Sequence, residues 1–170
     1  MVFRSIAHVD AAPRHPDVTV EHALVDSTAY LVLTQPTHYD VIVSENLFGD
    51  ILSDEAAAIA GSLGLMPSAS LGTRRTQHGR FGMYEPVHGS APAIAGQGVA
   101  NPIATVASAA MLLRWSLDET EAADALDAIV DAAIEEGPRT GDLGGSAGTG
   151  DVAEFLLGHI GHDAPVEVPA

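Results

Sequence analysis

Two aspartates, Asp50 and Asp54, stand four positions apart in the run Asn46-Leu47-Phe48-Gly49-Asp50-Ile51-Leu52-Ser53-Asp54-Glu55. Residues i and i+4 of an α-helix lie one above the other on one face, so both carboxylates can converge on one hard divalent cation. Without a ligand, the same pair is acid loading of a first helical turn, whose N-terminal dipole favours negative charge. Spacing alone leaves both open. The helix itself follows from the apolar positions Ile51, Ala58 and Ile59, with Gly61 and Gly64 as stop signals.

The elements that must carry this pair are legible from periodicity and breakers. Residues 18–25 are β-branched and partly alternating, which predicts a strand ending at Asp26; residues 27–34 read as a helix that Pro36 breaks. The apolar run Val41-Ile42-Val43 within residues 39–44 reads as a buried strand delivering the chain to Asn46. Strand followed by helix is α/β order. Residues 67–80 are rich in Ser, Gly and Arg without clear periodicity, so a crossover with a loop at 72–79 is expected, after a domain transition near Gly64.

Farther on, residues 103–115 predict a buried helix opened by Pro102. Residues 117–136 predict an amphipathic one with Ala122, Leu126, Ile129, Val130 and Ala133 inside and Gly137-Pro138 as its stop. The glycine-dense stretch 141–150 lacks the preceding strand and the lysine of a phosphate-cradling loop, so it reads as connector. A last helix is expected over 151–160, and a disordered tail from Gly161.

A second motif narrows the chemistry: Gly82-Met83-Tyr84-Glu85-Pro86-Val87-His88-Gly89-Ser90-Ala91-Pro92, then Ile94-Ala95-Gly96 and Val99-Ala100-Asn101-Pro102. With the Asp50 run and Pro67-Ser68-Ala69-Ser70-Leu71-Gly72, it resembles the metal-dependent β-decarboxylating dehydrogenases of 2-hydroxy acids. This is the isocitrate/isopropylmalate dehydrogenase family, and the wording is that of its isopropylmalate branch. The resemblance spans roughly residues 3–160. Residues near Phe3 and Arg4 resemble the family's midpoint, so the chain is similar to the C-terminal half of a two-domain α/β fold. Residues 1–64 would be the second part of the small metal-binding and dimerisation domain. Residues 65–160 would be the C-terminal part of the large dinucleotide-binding domain, and 161–170 a tail.

The resemblance implies an all-oxygen site for Mg²⁺ or Mn²⁺ made by Asp50 and Asp54 of one chain and Asp26 of its dimer mate, with Asp26 and Asp50 also serving catalysis. A turn aspartate at a strand end is the plain alternative for Asp26. The resemblance also places NAD on Glu85, His88, Gly89, Ser90, Ala91, Ile94 and Asn101. His88 would stack or hydrogen-bond at the adenosine, Ile94 pack on adenine, Asn101 read its edge, and Glu85 reach toward the nicotinamide; a turn histidine satisfied by backbone is the rival for His88. Arg139-Thr140-Gly141-Asp142 resembles a tail element near the adenosine, although a surface turn explains it equally well. The other histidines, His8, His15, His22, His38, His78, His159 and His162, show no ligand spacing.

Two departures stand out. The family's proton-shuttling lysine and tyrosine and its carboxylate-clamping arginines precede the point where this sequence starts, and the sequence has no lysine, so activity is expected to need the N-terminal half. Ala93 stands where NAD-dependent members carry aspartate, which removes a ribose hydrogen bond and one barrier to NADP. The implied reaction is oxidative decarboxylation of 3-isopropylmalate with NAD in leucine biosynthesis. Homoisocitrate or tartrate would be the substrate of close variants, and a noncatalytic dimerising or nucleotide-binding remnant is the contrasting possibility.

Composition bounds these readings. The 170 residues suffice for a core, and a formal net charge of -16 would repel nucleic acid and anionic membrane surfaces. All seven basic side chains are arginines, and zero cysteines exclude disulfides and thiolate chemistry. No apolar run is long enough for a membrane span and no signal-peptide core is present in this sequence, so a cytoplasmic setting is expected. Acidic, lysine-free composition fits a salt-rich cytoplasm, where screening shortens the range of like-charge repulsion. Circular dichroism during dialysis from high to low salt should show the fold being lost; an unchanged spectrum would contradict this.

Overall fold

The computed structural model describes residues 14–160. The expectations at Phe3, Arg4, His8, His162 and the tail from Gly161 lie outside the described residues. The chain forms two compact units, one ending at Ile59 and the other beginning at Ala60.

The first unit holds helix α1 (Val25–Thr34) and helix α2 (Asn46–Ala60). No strand forms over 18–25 or 39–44, contrary to the sequence pattern. A strand is stable only when its backbone groups find a ladder partner, and among the described residues none lies beside these segments. Val41 and Val43 are accordingly 78% and 71% exposed, although their run has the character of a core strand. The strand predicted to end at Asp26 gives way to α1, which starts one residue earlier and takes Asp26 into its first turn. Leu24 is its extended N-cap residue, and its carbonyl accepts from both the Thr28 amide and the Thr28 hydroxyl, each at 2.9 Å. Thr28 and Val32 face inward, and Pro36 follows the C-cap residue Gln35.

In the second unit the segment read as a crossover is an antiparallel hairpin of β1 (Pro67–Arg75) and β2 (Arg80–Pro86). Its register runs from Pro67 opposite Pro86 to Arg75 opposite Arg80, with an irregularity between Leu71 and Arg75. The bulge absorbs the glycine and the extra β1 residues that hid the strand from period-two analysis. Thr76 to Gly79 closes the hairpin, the Thr76 amide donating to the Gly79 carbonyl at 2.7 Å.

Helix α3 (Ile103–Leu112) is the centre of this unit; Ile103, Ala104, Ala107, Ser108 and Ala110 are buried. The predicted helix to residue 115 ends early, because the chain widens into a π-helical turn over Leu113–Leu117 that closes on left-handed Asp118. Arg114 of that turn reaches Asp124 at 2.8 Å and Asp127 at 2.7 Å on helix α4 (Thr120–Glu135), and these two, Asp124 first, raise its pKa. Helix α4 buries Ala123, Ile129, Val130 and Ala133; Ala122, expected inside, is exposed. The last helix, α5 (Thr149–His159), adds Val152 and Leu156, so three helices share one core of Ile103, Ala107, Ile129, Val130, Ala133, Val152 and Leu156. Ile103 is 1% exposed, so Ile103→Ala should lower stability by roughly 2–5 kcal/mol in a denaturant titration. A loss below about 0.5 kcal/mol would contradict this placement of the core.

Candidate functional site

The acid pair is built as the spacing requires. Asp50 and Asp54 lie within the uninterrupted helix α2, and both are exposed. Buried Leu52 and Ala57, with half-buried Ser53 and Ala56, fix the inward side of α2 and leave the carboxylates on its exposed remainder. Neither carboxylate meets a cationic side chain among the described residues. Asp26 is also exposed and its Oδ1 accepts from the Ser27 amide at 2.7 Å, which fits an acid satisfied at a helix N-terminus. No group of three or more His, Asp or Glu side chains converges as a metal cage among the described residues of this single chain. The chain brings two acids to one helix face and leaves Asp26 on another element.

The second motif runs from β2 into a mostly exposed loop. Glu85 is exposed on β2 opposite Ser68, and His88, Gly89, Ser90 and Ala91 follow it at the surface. The His88 Nδ1 lies 3.0 Å from the Gly89 carbonyl, so the ring is engaged by local backbone. Ala91 adopts a left-handed conformation at φ 41 and is the N-cap residue of a short 3-10 turn over Pro92–Ile94, which leaves Ile94 38% exposed. Ala93 offers no polar side chain, and its carbonyl accepts from the Gln97 side chain at 2.8 Å.

Asn101 ends this loop and differs from the rest, being only 8% exposed. Its Oδ1 accepts the Ile103 amide at 3.0 Å and so satisfies an orphan donor at the start of α3. Its Nδ2 donates to Asp142 at 3.1 Å. The same Asp142 oxygen accepts from the Ser62 hydroxyl at 2.5 Å, and Ser62 in turn accepts the Gly64 amide at 2.9 Å. A side chain at Gly64 would stand 2.8 Å from the Asn101 Cβ and 3.2 Å from the Asp142 carboxylate, so only glycine lets the three approach. Partial burial pushes the Asp142 carboxyl up, but the hydrogen bonds from Ser62 and Asn101, with the nearby Thr140 hydroxyl, outweigh it and hold it below the usual carboxylate range. Thr140 is 1% exposed, and its hydroxyl lies near the carboxylate without making a well-formed hydrogen bond.

The loop's other anchor is the start of α5. The Thr149 amide donates to the Gly98 carbonyl at 2.8 Å and the Thr149 hydroxyl to the Ala100 carbonyl at 2.5 Å. Sequence reasoning marked Asn101 and the 139–142 turn separately, but not Ser62 or Thr149. Asn-Pro before an apolar helix was the one local signal that the Asn101 side chain caps it.

The family model for isocitrate/isopropylmalate dehydrogenase matches residues 1–156. The chain belongs to that family. A 3-isopropylmalate dehydrogenase of Novosphingobium aromaticivorans is 51% identical over 152 residues, covering 89% of this chain and 43% of the relative. That of Caulobacter vibrioides is 55% identical over 146 residues, covering 86% and 41%. Among solved structures, isocitrate dehydrogenase from Methylococcus capsulatus superposes with a TM-score of 0.78 at 37% identity, over 87% of this chain and 42% of that one. A β-decarboxylating dehydrogenase from Thermococcus kodakarensis, in its apo form, gives 0.71 at 42% identity, over 86% and 41%. The fold is therefore part of the family's α/β fold, and the chain spans about two fifths of the length of the curated relatives it matches.

Asp142 supplies the pH-dependent element of this site. A carboxyl whose folded pKa lies below its unfolded value adds stability that is present above the unfolded pKa and is lost as pH falls through the folded one. Asp142→Asn should therefore lower stability at neutral pH, by no more than about 1 kcal/mol for so exposed a group. The gap from wild type should close as the solution is acidified below the ordinary aspartate range. Denaturant midpoints across pH check this; a gap that widens on acidification would contradict it.

Proposed function

We propose that this chain is part of an enzyme catalysing the metal-dependent oxidative decarboxylation of 3-isopropylmalate with NAD, in leucine biosynthesis and in the cytoplasm. The observation that carries this is the 51% and 55% identity to 3-isopropylmalate dehydrogenases across both motif blocks. The donor chemistry of the acid pair is consistent with it, since two exposed carboxylates on one helix face suit Mg²⁺ or Mn²⁺. In this proposal the residues ending at Gly64 belong to the small metal-binding and dimerisation domain and those from Leu65 to the dinucleotide-binding domain.

Asp50 and Asp54 would hold the cation together with Asp26 of a second copy, in a homodimer. When bound, the cation supplies positive charge beside the substrate hydroxyl and its neighbouring carboxylate, easing loss of the hydroxyl proton and offsetting the charge left when CO₂ departs. The three aspartates would fix where that charge sits, with Asp26 and Asp50 also serving catalysis. Glu85 extends toward the nicotinamide end, while His88, Gly89, Ser90, Ala91 and Ile94 wrap the adenosine. Asn101 contacts adenine with the one amide hydrogen that its ties to Asp142 and Ile103 leave free. Without aspartate at residue 93 the ribose loses one acceptor, so NAD is preferred with NADP still admitted.

The chain by itself should not reduce NAD when given 3-isopropylmalate and Mn²⁺. Supplied with the N-terminal portion of the Caulobacter relative, it should turn over, and Asp50→Asn in that assembly should reduce kcat by at least about a hundredfold. Normal rates from the isolated chain, or from Asp50→Asn, would refute the proposal.

A further inference from the structure

Positive charge in this acidic molecule is concentrated at one place. Three of its seven arginines, Arg74, Arg75 and Arg80, fall within the hairpin, and no acidic residue occurs between Glu55 and Glu85. Arg74 is accounted for, its guanidinium stacking 4.1 Å from the Phe81 ring centroid. Arg75 and Arg80 are not. They face each other directly across the two strands, and neither has an ion-pair partner among the described residues. Directly opposed like charges destabilise a strand pair, the more so in a two-stranded sheet with little stability of its own.

The tip that presents them is stiff. The Thr76 hydroxyl accepts from the His78 and Gly79 amides at 3.2 and 3.1 Å. Gly79 sits against the π-helical turn so closely that an added Cβ would lie 2.7 Å from the Trp115 carbonyl. Ser116 of that turn donates to the Arg80 carbonyl at 2.5 Å, and its Oγ lies 2.8 Å from the Tyr84 hydroxyl. Beside Arg80 lies a shallow, open groove of about 510 Å³ bordered by Thr76, Gln77, His78 and Ser116 and by apolar Phe81 and Leu117. That is the size of a small-molecule site.

We propose that the hairpin tip binds a phosphate group, free or as a monoester, held between the Arg75 and Arg80 guanidinium groups, with the groove receiving whatever the phosphate carries. Two opposed guanidinium forks match a tetrahedral dianion in both charge and donor geometry, whereas a lone carboxylate would neutralise only one of them. Occupation turns the cross-strand repulsion into a bridge between β1 and β2. The site uses none of the residues assigned to the metal or to NAD.

Calorimetric titration of the chain with inorganic phosphate and with ribose 5-phosphate, at fixed ionic strength set with KCl, tests this. Wild type should bind phosphate, and Arg75→Gln and Arg80→Gln should each weaken binding about tenfold. Gln35→Glu changes net charge by the same single unit in the other compact unit, and should alter affinity by no more than about twofold. Tighter binding of ribose 5-phosphate assigns a monoester as the source, and equal binding the free ion. Melting curves serve as the folding control: phosphate should raise the wild-type midpoint, and Arg75→Gln should melt no lower than phosphate-free wild type. Absence of binding by wild type, unchanged binding by both arginine variants, or an equal loss in Gln35→Glu would overturn the proposal.

Discussion

Two carboxylates one helical turn apart repel each other, and nothing among the described residues offsets that repulsion at Asp50 and Asp54. On a helix surface such a pair costs a few tenths of a kcal/mol, about what an oppositely charged pair would gain. The backbone of α2 enforces the proximity, and buried Leu52 and Ala57 set which side of the helix faces out. A divalent cation placed between the acids reverses the sign of the interaction. Much of the proposed chemistry follows from this constraint, because the helix supplies the spacing before any ligand arrives.

The second unit solves a different problem. Its loop from His88 to Asn101 is short of buried apolar contacts, so backbone and side-chain hydrogen bonds hold its far end. Asn101 is fixed from two directions, by the Ile103 amide of α3 and by Asp142, while Thr149 at the start of α5 holds Gly98 and Ala100. Those anchors rest on the shared core of α3, α4 and α5. The part of the loop that would face a nucleotide stays exposed while its end is rigid, an economical arrangement for binding a flexible ligand.

What the sequence revealed depended on whether the forces were local. Helices α3, α4 and α5 were legible because apolar spacing, Pro102 and Gly137-Pro138 act within a few residues; α2 forms as expected, but Ile51, Ala58 and Ile59, whose spacing pointed to it, are exposed, and Leu52 and Ala57 are buried instead. The strands read at 18–25 and 39–44 did not form, since a strand requires a partner that periodicity cannot supply; Val41 and Val43 keep core character while exposed. The hairpin escaped because its bulge and its Gly and Arg content mask alternation. The acid pair and the loop from Glu85 to Asn101 stand out in the sequence as motifs, yet the tie between Asn101 and Asp142 spans 41 positions and leaves no mark in either segment alone.

The placement of a divalent cation on α2 is the claim from which the proposed reaction draws its sense, and this chain carries many other acids, notably along α4. Paramagnetic broadening of backbone amide resonances by substoichiometric Mn²⁺ separates a specific site from diffuse attraction to negative charge. The account predicts that broadening is strongest at the amides flanking Asp50 and Asp54, with Asp26 joining as concentration favours pairing of chains. Broadening spread along Glu121, Asp131 and Glu135 of α4, with α2 spared, would contradict it.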